Sequence, residues 1–356
     1  MSNKSRNIFF AFGIIAVIVM ILTFKVSFAE IWEDICLTGH WFVLILGMWL
    51  VLYVLNTLTW RTIILGSGQC PIPFLKLCKV TISGFALNYA TPAGLMGGEP
   101  YKIMELSPYI GRERATSSVL LFAMMHIFAH FWYWLTAVVL FLGFVIMGVI
   151  EFDLQMKIII PLIALFSFTG IYLFVKGYKN GIVIKLIHVV GKLPYCRKWS
   201  CRLLENHTEE LNNIDRQIAE LQGQNKYSFY GSFFLEYAGR ILQSFEIFIM
   251  LCLVGIQGSY IQLFVYSVII LAFTSLFANL LFFMPLQIGG REGGFAMSTV
   301  AMKMVGESGL LLTLQEAMTI AVFISIICRV REIVWTSIGM CMMKIGTKVT
   351  NKSYKI

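Results

Sequence analysis

The chain has 356 residues, of which 58% are apolar and only 13% are charged. Soluble domains are about 45–50% apolar and about 25% charged, so this composition excludes an ordinary water-soluble domain and a disordered chain, and it predicts an all-α integral membrane protein. The net charge of +9 fits the excess of Lys and Arg that membrane proteins carry on their cytoplasmic side. We therefore expect no nucleic-acid partner.

Transmembrane helices are predicted where about 20 consecutive residues are predominantly apolar, the length that crosses a bilayer core of about 30 Å. The first such segment follows Lys4 and Arg6 and precedes a small-x-small site at residues 27–29, which leaves a cleaved signal peptide as an alternative. Its long apolar run favours an uncleaved helix. The segments that meet or nearly meet the required length are 7–24, 40–60, 117–149, 158–175, 228–255 and 314–343.

Basic residues between these segments predict the orientation of the chain. Lys4 and Arg6 place the N-terminus in the cytoplasm, and the basic tail from Lys344 to Lys355 places the C-terminus there too. Residues 176–202 hold seven basic and no acidic side chains. We therefore predict a single polytopic domain over residues 1–356, in which residues 176–226 form a cytoplasmic, basic, amphipathic connection that contacts anionic head groups.

Two further apolar segments, 74–90 and 260–283, do not fit this orientation as simple spans. Residues 102–114 look cytoplasmic again, so the first segment is expected to enter the membrane and turn back. The second should also turn back, over residues 284–306. The predicted fold is about six transmembrane helices plus two re-entrant hairpins, joined in an inverted repeat. In the alternative, residues 260–283 cross fully and a weak seventh span lies near 295–312.

The turns of both predicted hairpins carry a similar string, PAGLMGGE at residues 92–99 and PLQIGGRE at residues 285–292. Broken, glycine-rich backbone is tolerated within a bilayer only where protein or a wet cavity surrounds it, and such turns form the midplane sites of transporters. There are structural alternatives for both glutamates. In these, Glu99, which precedes Pro100, serves only to start a helix, and Glu292 serves only to neutralise the adjacent Arg291. The candidate substrate-binding residues in and before the turns are Asn88, Pro92, Gly97, Gly98, Glu99, Asn279, Pro285, Gly289, Gly290, Arg291 and Glu292.

A polar stripe is predicted in the segment 228–255, where Glu236, Arg240, Gln243 and Glu246 are spaced four, three and three residues apart. Glu236 and Arg240 are further candidates for the wall of a substrate cavity, with a purely structural ion pair as the alternative. In the last segment we expect Arg329 to pair with Glu332 and Arg331 to face the other way.

No metal site or cofactor is predicted. His126 and His130 lie one helical turn apart without a nearby carboxylate in the sequence, and adjacent aromatic residues suggest ordinary packing. Cys196 and Cys201 lack the second pair of ligands that a zinc site would need. No nucleotide-binding, serine-hydrolase or metallopeptidase motif is present.

The strings NYATPAGLMGGEPYKIMEL at residues 88–106 and MPLQIGGREGGF at residues 284–295 resemble the lysylphosphatidylglycerol synthase transmembrane-region family. The likeness extends over about residues 8–343. It implies a flippase-like protein of the bacterial inner membrane that moves a modified phospholipid between leaflets. The fused synthase domain of the best-known members is not expected, because thirteen residues follow residue 343.

The leading functional hypothesis is therefore a lipid flippase-like transporter that moves a phospholipid or a lipid-linked intermediate. The alternatives are a membrane-embedded enzyme that uses Glu99 and Glu292 as acid and base on lipid or polyprenyl substrates, and an accessory protein of envelope assembly. The expected partners are membrane lipids and a separate lipid-modifying enzyme. The sequence gives no indication of the oligomeric state.

Overall fold

A computed structural model describes residues 28–90, 97–150, 152, 154–180, 226–280, 290–306 and 308–344, together with the single residues 209, 212 and 216. The predicted first segment 7–24, most of the connection 176–226, and Pro92, Pro285 and Gly289 lie outside the described residues, as does the side chain of Glu292. Within the described ranges the helices are α1 (Phe28–Thr38), α2 (His40–Gly66), α3 (Phe74–Ala90), α4 (Gly98–Ile110), α5 (Arg112–Ile146), α6 (Leu154–Asn180), α7 (Lys226–Leu253), α8 (Tyr260–Leu280), α9 (Gly290–Ala301) and α10 (Leu314–Lys344).

Four of these helices are long and apolar enough to cross a membrane: His40–Gly66, Arg112–Ile146, Met156–Lys176 and Tyr260–Leu280. Three of them confirm the predicted apolar segments 40–60, 117–149 and 158–175 as helices of spanning length. Large apolar side chains are exposed along α6, among them Ile158, Leu162 and Leu165. Because water would penalise such a surface and lipid would not, the chain has the architecture of an α-helical membrane protein.

Helices α7 and α10 cover the predicted segments 228–255 and 314–343 but do not meet the same apolar criterion. They have 28 and 31 residues. Their length therefore exceeds what a bilayer core requires. Both carry buried charged side chains, including Glu236 and Arg331. These charges lower the mean hydropathy while lying inside the bundle, away from the lipid-facing surface.

Helices α3 and α4 pack against each other, and so do α8 and α9. The first pair touches through two glycines, since a Cβ on Gly98 would lie 2.0 Å from the carbonyl oxygen of Gly84. In the second pair a Cβ on Gly294 would lie 3.0 Å from the Cα of Thr274. Helix α9 has 12 residues, about 18 Å, and ends at Ala301. Residues 295–312 therefore do not form one helix of spanning length, whereas Tyr260–Leu280, which was expected to belong to a re-entrant hairpin, is long and apolar enough to cross a membrane.

The two halves of the chain meet along α2 and α7, which run in opposite directions. Near the start of α2, the Trp49 indole donates to Glu246, close to the end of α7. Near the end of α2, the carbonyl of Thr62 accepts a hydrogen bond from Ser228, close to the start of α7.

Each half also contains a helix that runs parallel to α2 or α7 of the other half. Helix α5 runs parallel to α7, because His126 contacts Glu236 and Tyr133 contacts Ser244 further along both helices.

Helix α10 runs parallel to α2 in the same way, with Arg331 over the Trp49 ring and Trp335 against Tyr53. Likewise α3 contacts α10 as α8 contacts α5. Exchange of the two halves thus maps α2 onto α7 and α5 onto α10, with the direction of each helix reversed.

The main apolar core lies where these four helices and α8 converge. Its fully buried side chains include Ile45, Phe141, Met250, Ile270 and Ile327. This core frames a polar interior, so the charged side chains of α7 and α10 are enclosed by packed helices rather than by lipid.

Candidate functional site

A cavity of about 180 Å³ lies inside the bundle, between α2, α3, α5, α7, α8, α9 and α10. This volume is that of roughly six water molecules in the liquid. Charged side chains are rarely placed in a membrane protein's interior without a functional reason, because their desolvation is costly. Five such side chains line this cavity in the described part of the chain: Arg240, Arg291, Arg331, Glu246 and Glu332.

Arg331 and Glu246 form the most enclosed ion pair of the cavity. The Nε of Arg331 donates to Glu246 Oε1 at 2.9 Å, and Trp49 Nε1 donates to Glu246 Oε2 at 3.0 Å. The guanidinium of Arg331 also stacks 3.6 Å from the centre of the Trp49 ring. The prediction that Arg331 faces the other way from Glu332 is wrong, because positions 328, 331 and 332 share one helical face and all three line the cavity.

Glu332 is held by an arginine from the second glycine-rich turn. Arg291 Nη1 donates to Glu332 Oε1 at 2.7 Å, and Arg331 Nη2 lies 3.8 Å from the same oxygen. Glu332 was expected to pair with Arg329 in its own helix. The structure brings it to Arg291 because the start of α9 packs against α10.

The polar stripe on α7 faces inward, as predicted. Glu236, Arg240 and Glu246 are buried, and Arg240 Nη1 donates to Gln243 Oε1 at 2.9 Å. Arg240 Nη2 lies 3.6 Å from Glu236 Oε1, so the predicted ion pair is present. His126 of α5 contacts both members of this pair. Glu236 lies behind Arg240 and does not itself line the cavity.

Neutral polar side chains from α8 line another wall of the cavity. They are Thr274, Ser275 and Asn279. The Thr274 hydroxyl is buried and has no hydrogen-bond partner within the described part of the chain. Asn279 Nδ2 donates to the carbonyl of Ser275 at 2.8 Å. Of the candidate residues from the two turns and their approaches, Asn279 and Arg291 thus reach the cavity.

The candidates Asn88, Gly98 and Glu99 form a cluster of their own at the α3–α4 turn. Asn88 accepts from the Gly98 N–H at 2.7 Å and donates to Glu99 Oε1 at 3.0 Å. The Lys102 ammonium lies 3.6 Å from the same carboxylate oxygen. Helix α4 therefore starts with its first amide and its acidic residue both bonded within the hairpin, and none of these side chains lines the cavity.

Lys102 is 1% exposed, and aromatic rings surround its ammonium. The nitrogen lies 4.7 Å from the ring centre of Phe85, 5.1 Å from that of Phe122 and 6.0 Å from that of Trp60. Cation–π attraction and the Glu99 carboxylate together compensate the burial of this charge. Gly97 precedes α4 without a side-chain cap, and Gly290 begins α9.

Sequence reasoning missed several residues of the polar interior, among them Trp49, His126, Glu332 and Lys102. Trp49 lies in a strongly apolar helix, and its partner Glu246 is 197 residues away. His126 was dismissed for lack of a carboxylate, which α7 supplies as Glu236. Glu332 was expected to pair within its own helix, and Lys102 was assigned to the cytoplasmic segment 102–114. Among the residues that the structure describes, no group of three or more His, Cys, Asp or Glu side chains is arranged to hold a metal ion.

Comparison with curated proteins and with solved structures gave no match. The model of one family, described as the lysylphosphatidylglycerol synthase TM region, matches residues 8–328. This range includes both glycine-rich turns and, in α10, extends as far as Cys328 of the cavity wall. The chain therefore belongs to the lysylphosphatidylglycerol synthase transmembrane-region family.

Proposed function

We propose that this protein moves a phospholipid or a lipid-linked intermediate between the leaflets of the bacterial inner membrane. The observation that carries the proposal is the interior cavity of about 180 Å³ lined by Arg240, Arg291 and Arg331. Guanidinium groups bind phosphate oxygens through paired N–H donors, and phosphate is the group that membrane phospholipids and polyprenyl-linked intermediates share.

The charge of the cavity wall favours an anionic ligand. Among the side chains that the structure describes, three arginines face it against two glutamates, a formal excess of one positive charge. Glu246 and Glu332 lie 2.9 Å and 2.7 Å from an arginine nitrogen. Arg240 has its carboxylate at 3.6 Å, so it is the least compensated of the three.

The cavity has room for the polar part of such a lipid. A volume equal to roughly six waters accommodates a phosphate with a small substituent. In the proposed mechanism the head group crosses through the polar interior while the acyl chains stay in the bilayer. Thr274, Ser275 and Asn279 then offer neutral hydrogen bonds beside the charged wall.

The proposed topology is six spans and two re-entrant hairpins in an inverted repeat, with both termini in the cytoplasm. The opposite directions of α2 and α7, and the exchange of helix contacts between the halves, support it. Residues 176–226 then connect the halves on the cytoplasmic side against anionic head groups.

The proposal is tested by leaflet redistribution of NBD-labelled phosphatidylglycerol in proteoliposomes, followed by dithionite quenching. The double variant Arg291→Gln with Glu332→Gln removes one ion pair without leaving a buried charge unpaired. It should slow redistribution about tenfold or more, since a hydrogen bond to a charged group contributes about 1.5–3 kcal/mol.

The exposed Arg112 provides the matched control, and Arg112→Gln should redistribute lipid at the rate of the unaltered protein. Melting temperatures check that all variants are folded. Absence of redistribution by the unaltered protein, or equal rates for the double variant, would overturn the proposal. A changed lipid mass in place of redistribution would indicate an enzyme instead.

A further inference from the structure

We infer that His126 and Glu236 form a proton-binding pair, and that a proton taken up there releases Arg240 to the head group in the cavity. This inference rests on the proposed function and names its coupling ion. It starts from one observation, that a single imidazole lies between a carboxylate and a guanidinium inside the bundle.

The three side chains meet closely. His126 Nδ1 contacts Glu236 Oε1, and both ring nitrogens lie near Arg240 Nη2, with Nδ1 at 2.8 Å. Arg240 and His130 line the cavity, whereas Glu236 and His126 lie behind it. Arg240 is the charged side chain through which the pair can act on a ligand.

A neutral imidazole can serve both neighbours. In the tautomer with the proton on Nδ1, Nδ1–H donates to Glu236 and the lone pair of Nε2 accepts from Arg240, which has donors only. A second proton on Nε2 would set an N–H of the imidazolium against an N–H of the guanidinium, with a positive charge on each. Glu236 would then be paired with the imidazolium, and Arg240 would lose both its acceptor and its counter-charge.

After proton uptake, an anionic ligand in the cavity can supply the charged partner that the Arg240 guanidinium has lost. On its own helix Arg240 keeps Gln243, at 2.9 Å, which carries no charge. In the cavity, a phosphate would replace the interactions that the proton has removed. Proton uptake and head-group binding are thereby linked, and the affinity for an anionic head group should rise as the pH falls.

The other groups that face this cluster are consistent with a neutral ring at rest. Lys102 of α4 lies within electrostatic reach of His126 and Glu236, and His130 of the same helix contacts His126. The positive charge of Lys102 opposes a second positive charge on the imidazole. Tyr89 and Tyr133 face Arg240, and Phe85 packs on the His126 ring. Glu236 Oε2, buried and without a hydrogen-bond partner in the described structure, is an acceptor that favours the protonated ring.

Binding of short-chain dihexanoyl-phosphatidylglycerol to the purified full chain, measured by calorimetry between about pH 5.5 and pH 8, tests the inference. The unaltered protein should bind more tightly by up to about tenfold per unit of falling pH within the titration range, as expected for one linked proton. Melting temperatures, recorded at each pH, identify any variant that has lost its fold.

Two variants should make the affinity independent of pH, one at the weak value and the other at the tight value. In His126→Gln no proton can be taken up, Glu236 keeps Arg240, and the affinity should stay at its weak, alkaline value. In Glu236→Gln the counter-charge of Arg240 is gone, so the affinity should stay at its tight, acid value. A purely structural role for the cluster would not produce opposite plateaus.

The exposed His40 provides the control, because His40→Gln removes a histidine outside the cluster and should retain the full pH dependence. Equal pH dependence in the unaltered protein and in His126→Gln, or the same plateau in both cluster variants, would overturn the inference and leave the proposed function intact. Absence of binding at every pH would overturn the proposed function itself, and the inference with it.

Discussion

Single charged residues in the interior of this protein are compensated by partners from distant parts of the chain. Arg291 meets Glu332 and Arg331 meets Glu246 at distances below 3 Å. A buried ion pair contributes little net stability, since desolvation offsets most of the attraction, but loss of one partner is strongly destabilising. Stability alone therefore does not explain why these pairs are present, whereas the proposed binding of a head group at the cavity wall would explain it.

The ion pair of Glu99 with Lys102 yields a prediction about a single residue. Glu99→Gln leaves the buried Lys102 ammonium without its counter-charge, so the folded protein should lose about 3 kcal/mol, near the low end for such pairs because the Glu99 side chain is 22% exposed. The melting temperature of the purified protein measures this loss.

Addition of Lys102→Met to Glu99→Gln should restore most of the lost stability, because the long apolar side chain fills the space among Phe85, Phe122 and Trp60 without a charge. If transport returns with stability, Glu99 serves the fold. If the double variant is stable but inactive, Glu99 or Lys102 takes part in transport. A normal melting temperature for Glu99→Gln alone would contradict the assigned pairing.

At the scale of helices, the α3–α4 pair depends on a contact between two backbones. A Cβ on Gly98 would lie 2.0 Å from the Gly84 carbonyl oxygen, and backbone cannot rotate away as a side chain can. The prediction is that Gly98→Ala destabilises the protein by more than the roughly 1–3 kcal/mol of ordinary overpacking, seen as a large fall in melting temperature and expression.

Gly143 of α5 is the matched control, since nothing lies within 4 Å of a Cβ built on it. Gly143→Ala should leave the protein as stable as before or raise its stability by up to about 1 kcal/mol, because alanine is the better helix former. Equal tolerance of both substitutions would show that α3 and α4 do not approach as closely as described.

Helices and contacts differ in how far the sequence predicts them. The apolar length of residues 40–60 or 117–149 is a local property, so the helices there could be predicted, and the spacing of Glu236, Arg240 and Glu246 put them on one face. The partners of these residues could not be predicted. Trp49 reaches Glu246 across 197 residues, and that contact depends on which helices become neighbours.

The glycine-rich turns show the same limit within the candidate site. Two similar strings suggested similar roles for Glu99 and for the residues around Arg291. The structure gives the described side chains different surroundings, because Asn88 bonds Gly98 and Glu99 in the first turn, while Asn279 and Arg291 reach the cavity in the second. Similar strings therefore did not predict similar contacts for the side chains that the structure describes.

For the whole molecule, the antiparallel packing of α5 and α8 yields a topological prediction. Trp134 contacts Ser275, and further along α5 Phe144 contacts Tyr266, earlier in α8, so the two helices begin at opposite ends of the bundle. In a chain without its native cysteines, Arg112→Cys and Ser259→Cys place single thiols at these two exposed starts.

A membrane-impermeant maleimide should label the cysteine at position 259 in right-side-out vesicles and the cysteine at position 112 in inverted vesicles. A detergent-solubilised sample, in which both should react, controls for accessibility. Labelling of both positions from one side would contradict the orientation proposed for the two hairpins.

The pairing of Arg331 with Glu246 also has a consequence for how the protein is made. The two residues are 85 positions apart, so at about 5–20 residues per second the ribosome needs about 4–17 s after Glu246 to reach the arginine that compensates it. A charged residue at the centre of an inserting helix costs about 2.5–3.5 kcal/mol, and α7 carries Glu236, Arg240 and Glu246. During biogenesis α7 should therefore remain at the translocon, with Trp49 as the first donor to Glu246, until α10 has been synthesised and both helices enter the bilayer together.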